Sequence, residues 1–213
     1  IEFKNFNFAY PDDENTLILK DVNIKIKAGE TIGIVGKIGS GKSTLVNMLF
    51  RLYNVEDNTL FIDGYDIMHL PIRMVRDTIG YCPQDNFLFS DSIRNNIAFS
   101  NPDMSLEEVE KAAEFADVRS NIEEFKDKYE PLIGEKGVSL SGGQKQRISI
   151  ARAIVKDPKI LVLDDSVSAV DVKTEETILH NIQKDRKGKT TILIASRVST
   201  VKALDKIIVM NDG

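Results

Sequence analysis

A glycine-rich segment, GKIGSGKST at residues 36–44, constrains this chain more than any other feature of its sequence. Gly36, Gly41, Lys42 and Ser43 fit the pattern G-x-x-x-x-G-K-[ST], in which backbone N–H groups point into one concavity. The segment follows the apolar run TIGIVG and precedes the helix-like KSTLVNMLFRLY. A strand, a glycine loop and a helix N-terminus in this order predict a phosphate-binding loop.

The loop residues have separate predicted roles in binding a nucleotide. We expect Lys42 to reach the β- and γ-phosphates and the Ser43 hydroxyl to ligate Mg²⁺. The loop therefore predicts a nucleotide with β- and γ-phosphates and Mg²⁺ as the ligands, and ATP and Mg²⁺ are the cofactors expected of the chain. The nucleotide-binding residues predicted in this loop are Gly36, Lys37, Ile38, Gly39, Ser40, Gly41, Lys42, Ser43 and Thr44.

Short apolar runs alternate with helical patterns in the last third of the chain. Residues 160–163, 190–195 and 206–210 are typical of buried strands, and residues 173–183 are typical of a helix. This alternation predicts a parallel sheet with both faces covered. With the phosphate loop, the predicted fold class is α/β, a P-loop NTPase with a RecA-like parallel core.

Two further parts are predicted around this core. Ile1 and Phe3, and then Phe6 and Phe8, lie at alternate positions, which predicts an antiparallel β subdomain at the front of the chain. Residues 85–155 have helical patterns at 92–98, 105–116 and 144–155, and the second begins with a Ser-x-x-Glu capping box. We therefore expect one domain over 1–213: residues 1–84 and 156–213 form the core with its β subdomain, and residues 85–155 form a helical insertion.

Composition argues against several classes of protein. The net charge of −5 argues against nucleic-acid binding, and the single cysteine, Cys82, permits no intrachain disulfide and is expected in the core. His69 and His180 have no Cys or His neighbours at metal-ligand spacing, so both are expected to be surface or packing residues. No apolar run approaches the ~20 residues of a membrane-spanning helix. We expect the sequence to be a piece of a longer protein.

The run ILVLDD at residues 160–165 indicates a second element of a nucleotide site. A buried parallel strand ends at the sheet edge where ligands bind in such folds, and Asp164 at that edge could hold the metal. The following residue would polarise the attacking water in an ATPase, and glutamate is expected there. Asp165 is a shorter acid, so the sequence leaves open whether it is a working base.

A second glycine-rich stretch, LSGGQKQR at residues 140–147, opens another predicted helix. Ser141, Gly142 and Gly143 would present a hydroxyl and two N–H groups to an anion at the helix start. The residues alone fit equally another phosphate site or a helix cap. One nucleotide does not need two such loops in one chain, which raises the possibility that this one serves a different nucleotide.

These motifs together resemble the nucleotide-binding domain of an ABC transporter of the exporter type, and the resemblance runs the length of the chain. LSGGQ is that family's signature. Tyr10 resembles its adenine-stacking aromatic residue, Gln84 its Gln-loop residue at Mg²⁺ and water, and Asp171 its D-loop. Residues 85–97 resemble the segment that contacts the membrane domain in exporters, and GEKG at 134–137 resembles the exporters' X-loop.

The resemblance implies a head-to-tail dimer in which each ATP lies between the phosphate loop of one domain and the signature of the other. Ser43, Gln84 and Asp164 are then the implied metal-site residues. The residues implied to contact the partner's nucleotide are Ser141, Gly142, Gly143, Gln144 and Asp171. The implied partners are a second ABC domain and the transmembrane domain of the same transporter, at the cytoplasmic face of the membrane.

The sequence departs from the family at two positions that serve the same reaction, the hydrolysis of ATP. Asp165 replaces the catalytic glutamate, and Ser196 replaces the switch histidine that precedes Arg197. LSGGQ is intact. This combination resembles the degenerate half of a bacterial heterodimeric multidrug exporter, which binds ATP, hydrolyses it poorly and completes its partner's site. The alternatives are a homodimeric exporter that hydrolyses slowly through Asp165, or a non-transport ABC ATPase, or a binding module without catalysis as the isolated chain.

Overall fold

A computed structural model describes residues 1–134, 138–167 and 170–213. Within them the strands form two sheets, one antiparallel and one parallel. The strands are β1 (Glu2–Ala9), β2 (Leu17–Lys25), β3 (Thr31–Gly36), β4 (Leu60–Ile62), β5 (Tyr65–Asp66), β6 (Ile79–Cys82), β7 (Ile160–Asp164), β8 (Thr190–Ile194) and β9 (Lys206–Met210). The helices are α1 (Lys42–Leu49), α2 (Ile72–Thr78), α3 (Ile93–Ile97), α4 (Leu106–Phe115), α5 (Arg119–Glu123), α6 (Gly142–Ile154), α7 (Val172–Asp185) and α8 (Val198–Val201). Short 3-10 helices cover Ile67–His69 and Ala98–Ser100.

The parallel sheet has the order β6-β7-β8-β3-β9 and is covered on both faces. All residues of β7 and β8 are buried. Ile160 and Val162 pack in the cluster that contains the antiparallel sheet and α1, whereas Leu161 and Leu163 pack in the cluster of the helical part. The continuous apolar runs predicted this arrangement because a strand buried on both faces has no polar alternation.

The antiparallel sheet has the order β2-β1-β4-β5 and buries the phenylalanines of β1. Phe3 and Phe6 are three positions apart, yet both point into the core. The pairing of β1 with β2 shifts register between them, and Asn5 has a φ of +45°. This bulge adds one residue to the strand, which restores the inward direction of Phe6. The predicted β subdomain is therefore present.

The helical part comprises α3 to α6. Ser105 and Glu108 form the predicted capping box at the start of α4. Helix α6 begins at Gly142, two residues before the predicted start, because Ser141 caps it. Among the helices of the described residues, none is both long and apolar enough to cross a membrane.

Four chain segments that carry predicted site residues meet at one edge of the parallel sheet. They follow the carboxyl ends of β3, β6, β7 and β8, and these strands are neighbours through the pairs β6·β7, β7·β8 and β8·β3. Parallel neighbours end at the same edge, so the segments lie side by side. The fold therefore supports a ligand-binding site at this edge of the parallel sheet.

Candidate nucleotide site

The phosphate loop runs from the end of β3 into the first turn of α1. Gly39 and Gly41 have φ values of +82° and +91°, in the left-handed region that favours glycine. A Cβ at Gly36 would lie 2.3 Å from a carbonyl oxygen at the end of β9. Lys42 Nζ donates to the carbonyl oxygens of Gly36 and Lys37 at 2.8 and 2.7 Å. The ammonium group therefore lies against the loop that is predicted to hold phosphates.

The predicted metal residues Ser43 and Asp164 are adjacent. Ser43 Oγ donates to Asp164 Oδ1 at 3.2 Å, and the Tyr81 hydroxyl donates to Asp164 Oδ2 at 3.5 Å. Burial raises the pKa of Asp164, and the nearby charge of Asp165 adds to this, while the bond from Ser43 opposes it. A cation would stabilise the ionised carboxylate. A carboxylate and a hydroxyl are ligands that suit Mg²⁺, so these residues fit the predicted ion.

Gln84 lies at the same sheet edge as the two acids. Cys82 on β6 pairs with Leu163 on β7, so Gln84 and Asp165 each lie two residues beyond a paired position. Gln84 is exposed. The register thus places Gln84 at this edge of the sheet, and its contact with metal and water stays a prediction.

Asp165 and Ser196 contact each other directly. The backbone N–H and the hydroxyl of Ser196 both donate to Asp165 Oδ1, each at 3.2 Å. The backbone of Asp165 has a φ of +47°, and its N–H donates to the carbonyl oxygen of Ile194 at 3.0 Å. The structure therefore brings together the two positions at which the sequence departs from expectation, with one carboxylate oxygen bonded to the chain's own switch position.

Tyr10 lies beside the start of α1. Its hydroxyl is 2.9 Å from Thr44 Oγ1, and its ring meets Phe8 and Tyr53 edge-on at centroid distances of 5.1 and 5.4 Å. This aromatic group therefore borders the phosphate loop, and its contact with a nucleotide base stays a prediction. Sequence reasoning missed Tyr53, because only the fold brings it to Tyr10.

The signature residues form a helix cap within this chain. Ser141 Oγ accepts from Gln144 N at 3.2 Å, and Gln144 Oε1 accepts from Ser141 N at 2.9 Å. A Cβ added at Gly142 or at Gly143 would meet nothing within 4 Å. The motif is thus a capping box whose glycines face open space, so neither alternative left by the sequence excludes the other.

Comparison with known proteins decides which family has this combination of loop, acidic strand end and cap. The sequence profile described as ABC transporter matches residues 19–168, more than half of the chain. The chain belongs to the ABC transporter family. The resemblance identified from its motifs is confirmed at this level, as is the predicted fold.

Several relatives cover the whole chain. The leukotoxin translocation ATP-binding protein LktB of Mannheimia glucosida is 50% identical over 213 residues, which is 30% of its own length. ATP-binding cassette sub-family B member 5 of Homo sapiens is 46% identical, with 17% of its length covered. The putative multidrug export ATP-binding/permease protein YgaD of Bacillus subtilis (strain 168) is 46% identical, with 37% covered. The chain thus spans well under half of each relative.

A solved structure gives the same fold. The structure of a bacterial Atm1-family ABC exporter with ATP bound superposes with a TM-score of 0.93 and is 40% identical. The match covers 100% of this chain and 37% of that one. This ABC domain is therefore similar, in sequence and in structure, to exporter ATP-binding proteins.

In this ABC domain, the segment that follows β8 is tied to helix α7. Arg197 forms an ion pair with Glu175, which is buried in the first turn of α7. Asp171 caps α7 by accepting from Thr174 N at 3.1 Å, and this bond lowers the pKa of Asp171. Sequence reasoning missed Glu175, because no local pattern marks a partner 22 positions away.

Three apolar side chains next to the nucleotide motifs are strongly exposed. They are Ile38 in the phosphate loop, Val172 after the D-loop and Val198 after the switch arginine. Their exposure leaves these three side chains available for contact with another molecule.

Two predicted segments reach beyond the described residues. The X-loop resemblance falls on 134–137, of which 135–137 lie outside them, and residues 168 and 169 before Asp171 do so as well.

One further group of metal-type ligands includes a histidine: ligand atoms of Asp57, Asp66 and His69 lie within 4.8 Å of one another. Asp66 there accepts backbone N–H groups of Asn58 and Met68, so its carboxylate has a structural role in the turn.

Proposed function

We propose that this domain is one half of a heterodimeric exporter's ATP-binding pair, located at the cytoplasmic face of the membrane. It holds Mg-ATP at its own phosphate loop, hydrolyses it poorly, and supplies its signature to the competent site of a different partner domain. The observation that carries the proposal is the contact between Asp165 and Ser196, at the two positions where a competent site would have glutamate and histidine.

Binding is supported by the intact first half of the site. Lys42 lies on the loop, Ser43 and Asp164 are paired, and Tyr10 borders the loop. These groups would hold the phosphates, the magnesium and the base. Bound Mg²⁺ would supply charge neutralisation between the phosphates. The departures do not touch any of these contacts, so we expect ATP to bind normally.

Poor hydrolysis is supported by geometry. Aspartate is one methylene shorter than glutamate, which withdraws the carboxylate by on the order of 1 Å, and such a displacement can cost about 100-fold in rate. General-base assistance is itself worth roughly 10² to 10⁴. Asp165 Oδ1 also accepts two bonds from Ser196, which compete with a water molecule for this oxygen. A serine hydroxyl is too short to contact both the γ-phosphate and the base.

The head-to-tail dimer is supported by the outward face of the signature. Gly142 and Gly143 face open space, and within the described residues no hydrogen bond joins residues 141–144 to the loop at 36–44. The signature therefore has room to contact a nucleotide held by another domain. The exposed side chains of Ile38, Val172 and Val198 would be covered by that partner.

Transport is proposed from the relatives and from the segment at 85–97. LktB and YgaD are named for translocation and for putative multidrug export, and the matched structure is an exporter. Phe87 is strongly exposed within the segment that is predicted to contact the membrane domain. Movement between open and closed dimers would then drive the membrane helices between two states.

The homodimeric alternative is favoured by one observation, that Asp165 still offers a carboxylate at this position. The test is to measure Mg-ATP binding and phosphate release for the purified domain alone and after addition of its partner domain. We expect binding by the domain alone, hydrolysis about 100-fold slower than by the mixed pair, and restored turnover on mixing. Robust hydrolysis by the domain alone that Asp165→Asn abolishes would instead establish the homodimeric alternative.

A further inference from the structure

Three phenylalanines, Phe87, Phe89 and Phe99, form an exposed aromatic patch on the helical part. Phe87 is 65% exposed and Phe99 is 57% exposed. The rings of Phe89 and Phe99 stack at a centroid distance of 4.6 Å with 12° between their planes, and Phe87 meets Phe89 edge-on at 5.1 Å. The patch overlaps the segment proposed to contact the membrane domain and extends it to Phe99.

Arg152, near the end of α6, contacts both the rings and the backbone of this patch. Its guanidinium carbon lies 5.4 Å from the ring centroid of Phe89 and 5.9 Å from that of Phe99. Nη1 donates to the carbonyl oxygen of Phe87 at 2.9 Å. Nε and Nη2 donate to the backbone and side-chain oxygens of Asn96 at 2.8 and 2.6 Å. These hydrogen bonds go to carbonyl or amide oxygens, so they fix geometry and do not pair two charges.

Asn96 extends this attachment along the backbone that carries the patch. Asn96 is buried, with 1% of the residue exposed. Its Nδ2 donates to the carbonyl oxygens of Phe89 and Ser92 at 3.0 and 2.9 Å. Asn96 Oδ1 also accepts from Phe89 N at 2.9 Å. Since Arg152 bonds the same oxygen, the helix and the loop share one network.

The same face of α6 is attached to this segment at three earlier helix positions. Asn86 Nδ2 donates to the carbonyl oxygen of Gly142 at 3.2 Å. The buried thiol of Cys82 donates to Ser149 Oγ at 3.5 Å and accepts from Gln146 Nε2 at 3.7 Å. Helix positions 142, 146, 149 and 152 are three or four apart and therefore share one face. Residues 82–99 are thus bonded to α6 from its first turn to its last.

We propose that Arg152 is a positioning residue that transmits movement of the aromatic patch to the signature at the other end of α6. The inference rests on the proposed function, because it needs the signature to act on the partner's nucleotide. With 13 residues, α6 is about 20 Å long. A hydrogen-bonded helix of this length moves as a unit, so a shift at Arg152 reaches Ser141. Because a displacement of about 1 Å can change a rate by about 100-fold, a small shift would suffice.

A guanidinium group is required for these contacts. Its planar set of donors reaches Phe87 and both oxygens of Asn96 at once, while its face remains available to the rings. Lysine would keep the charge and one contact with the rings, yet it would lose the simultaneous bonds to three oxygens. The two substitutions at Arg152 therefore separate charge from geometry.

The test compares Arg152→Ala and Arg152→Lys in two assemblies with ATP as the only added ligand. One assembly is the full transporter with its partner in lipid nanodiscs, and the other is the pair of ABC domains without membrane segments. We expect kcat for ATP hydrolysis in the full transporter to fall about 10- to 100-fold for Arg152→Ala and less for Arg152→Lys, with KM unchanged. The membrane-free pair should change by no more than about twofold. Phe89→Ala should give the same loss, and combining it with Arg152→Ala should add little.

Controls separate this inference from a general loss of structure and from failure of the proposed function. Arg119→Ala removes ion pairs to Glu110, Glu114 and Glu123 on the same helical part and should leave both assemblies unchanged. Equal losses of kcat in both assemblies, or no loss in the full transporter, would overturn the role of Arg152. Gly142→Asp tests the underlying proposal: if it leaves hydrolysis intact in both assemblies, the signature does not act on the partner's nucleotide.

Discussion

Asp165 and Ser196 lie opposite each other across the ends of β7 and β8, and the proposal of weak hydrolysis rests on this pair. The Asp165 carboxylate is held by two donors of Ser196 at 3.2 Å. A glutamate at position 165 would place its carboxylate on the order of 1 Å further from the backbone. An imidazole at position 196 would reach further than a hydroxyl. Hydrolysis should therefore need both replacements. A glutamate at position 165 would move the carboxylate, and a histidine at position 196 would orient it.

Replacing both residues should restore hydrolysis at this domain's own site. We expect the double variant Asp165→Glu with Ser196→His to release phosphate about 100-fold faster than the wild-type domain, and Asp165→Glu alone to gain less. Phosphate release at domain concentrations high enough for self-association measures the gain. Addition of Lys42→Ala to the double variant should remove it. If the double variant remains as slow as wild type, the defect lies elsewhere in the site.

At the scale of secondary structure elements, the sequence predicts the interior of each element better than its ends. The core strands were predicted because β7 and β8 carry the apolar runs ILVL and ILI, and every residue of both strands is buried. The start of α6 was predicted two residues late, although Ser141 and Gln144 have the Ser-x-x-Gln pattern of a capping box. The glycines between them disfavour a helix on propensity alone, and the cap outweighs this.

The two capping boxes of the helical part provide a matched pair of variants. Ser105→Ala and Ser141→Ala should each lower stability by about 1 kcal/mol, because each removes the acceptor of one backbone N–H. For a domain of this size that corresponds to about 2–4 °C in Tm. Only Ser141→Ala should also slow ATP hydrolysis by the assembled pair.

Thermal unfolding and steady-state ATPase assays measure the two effects separately. Ser105 lies on α4 and has no place in the nucleotide site, so Ser105→Ala controls for loss of helix stability. If both variants slow hydrolysis equally, the effect of Ser141→Ala comes from stability and not from a contact with the partner's nucleotide.

At the scale of the whole molecule, the parallel sheet brings together residues that are far apart in sequence. Ser43 and Asp164 are separated by 121 positions, and the β7·β8 and β8·β3 pairs place them at one edge. Motif order and strand pattern were enough to predict that edge. The pair of Arg197 with Glu175 and the network of Arg152 could not be predicted, because each depends on how loops pack on helices and leaves no periodic pattern in the sequence.

The proposed function predicts that the two nucleotide sites of the assembled pair hydrolyse ATP at unequal rates. Lys42→Ala in this chain removes the ammonium group from its phosphate loop, so ATP should no longer bind there. If this site contributes little turnover, as proposed, the steady-state ATPase rate of the pair should fall by only about tenfold or less, through loss of dimer closure. The corresponding lysine substitution in the partner should remove turnover almost completely. Rapid filtration of bound nucleotide identifies the site that has lost ATP, and steady-state phosphate release gives the rate. Equal rates for the two lysine variants would show that both sites hydrolyse ATP alike, which would contradict a division of labour between a holding site and a hydrolysing site.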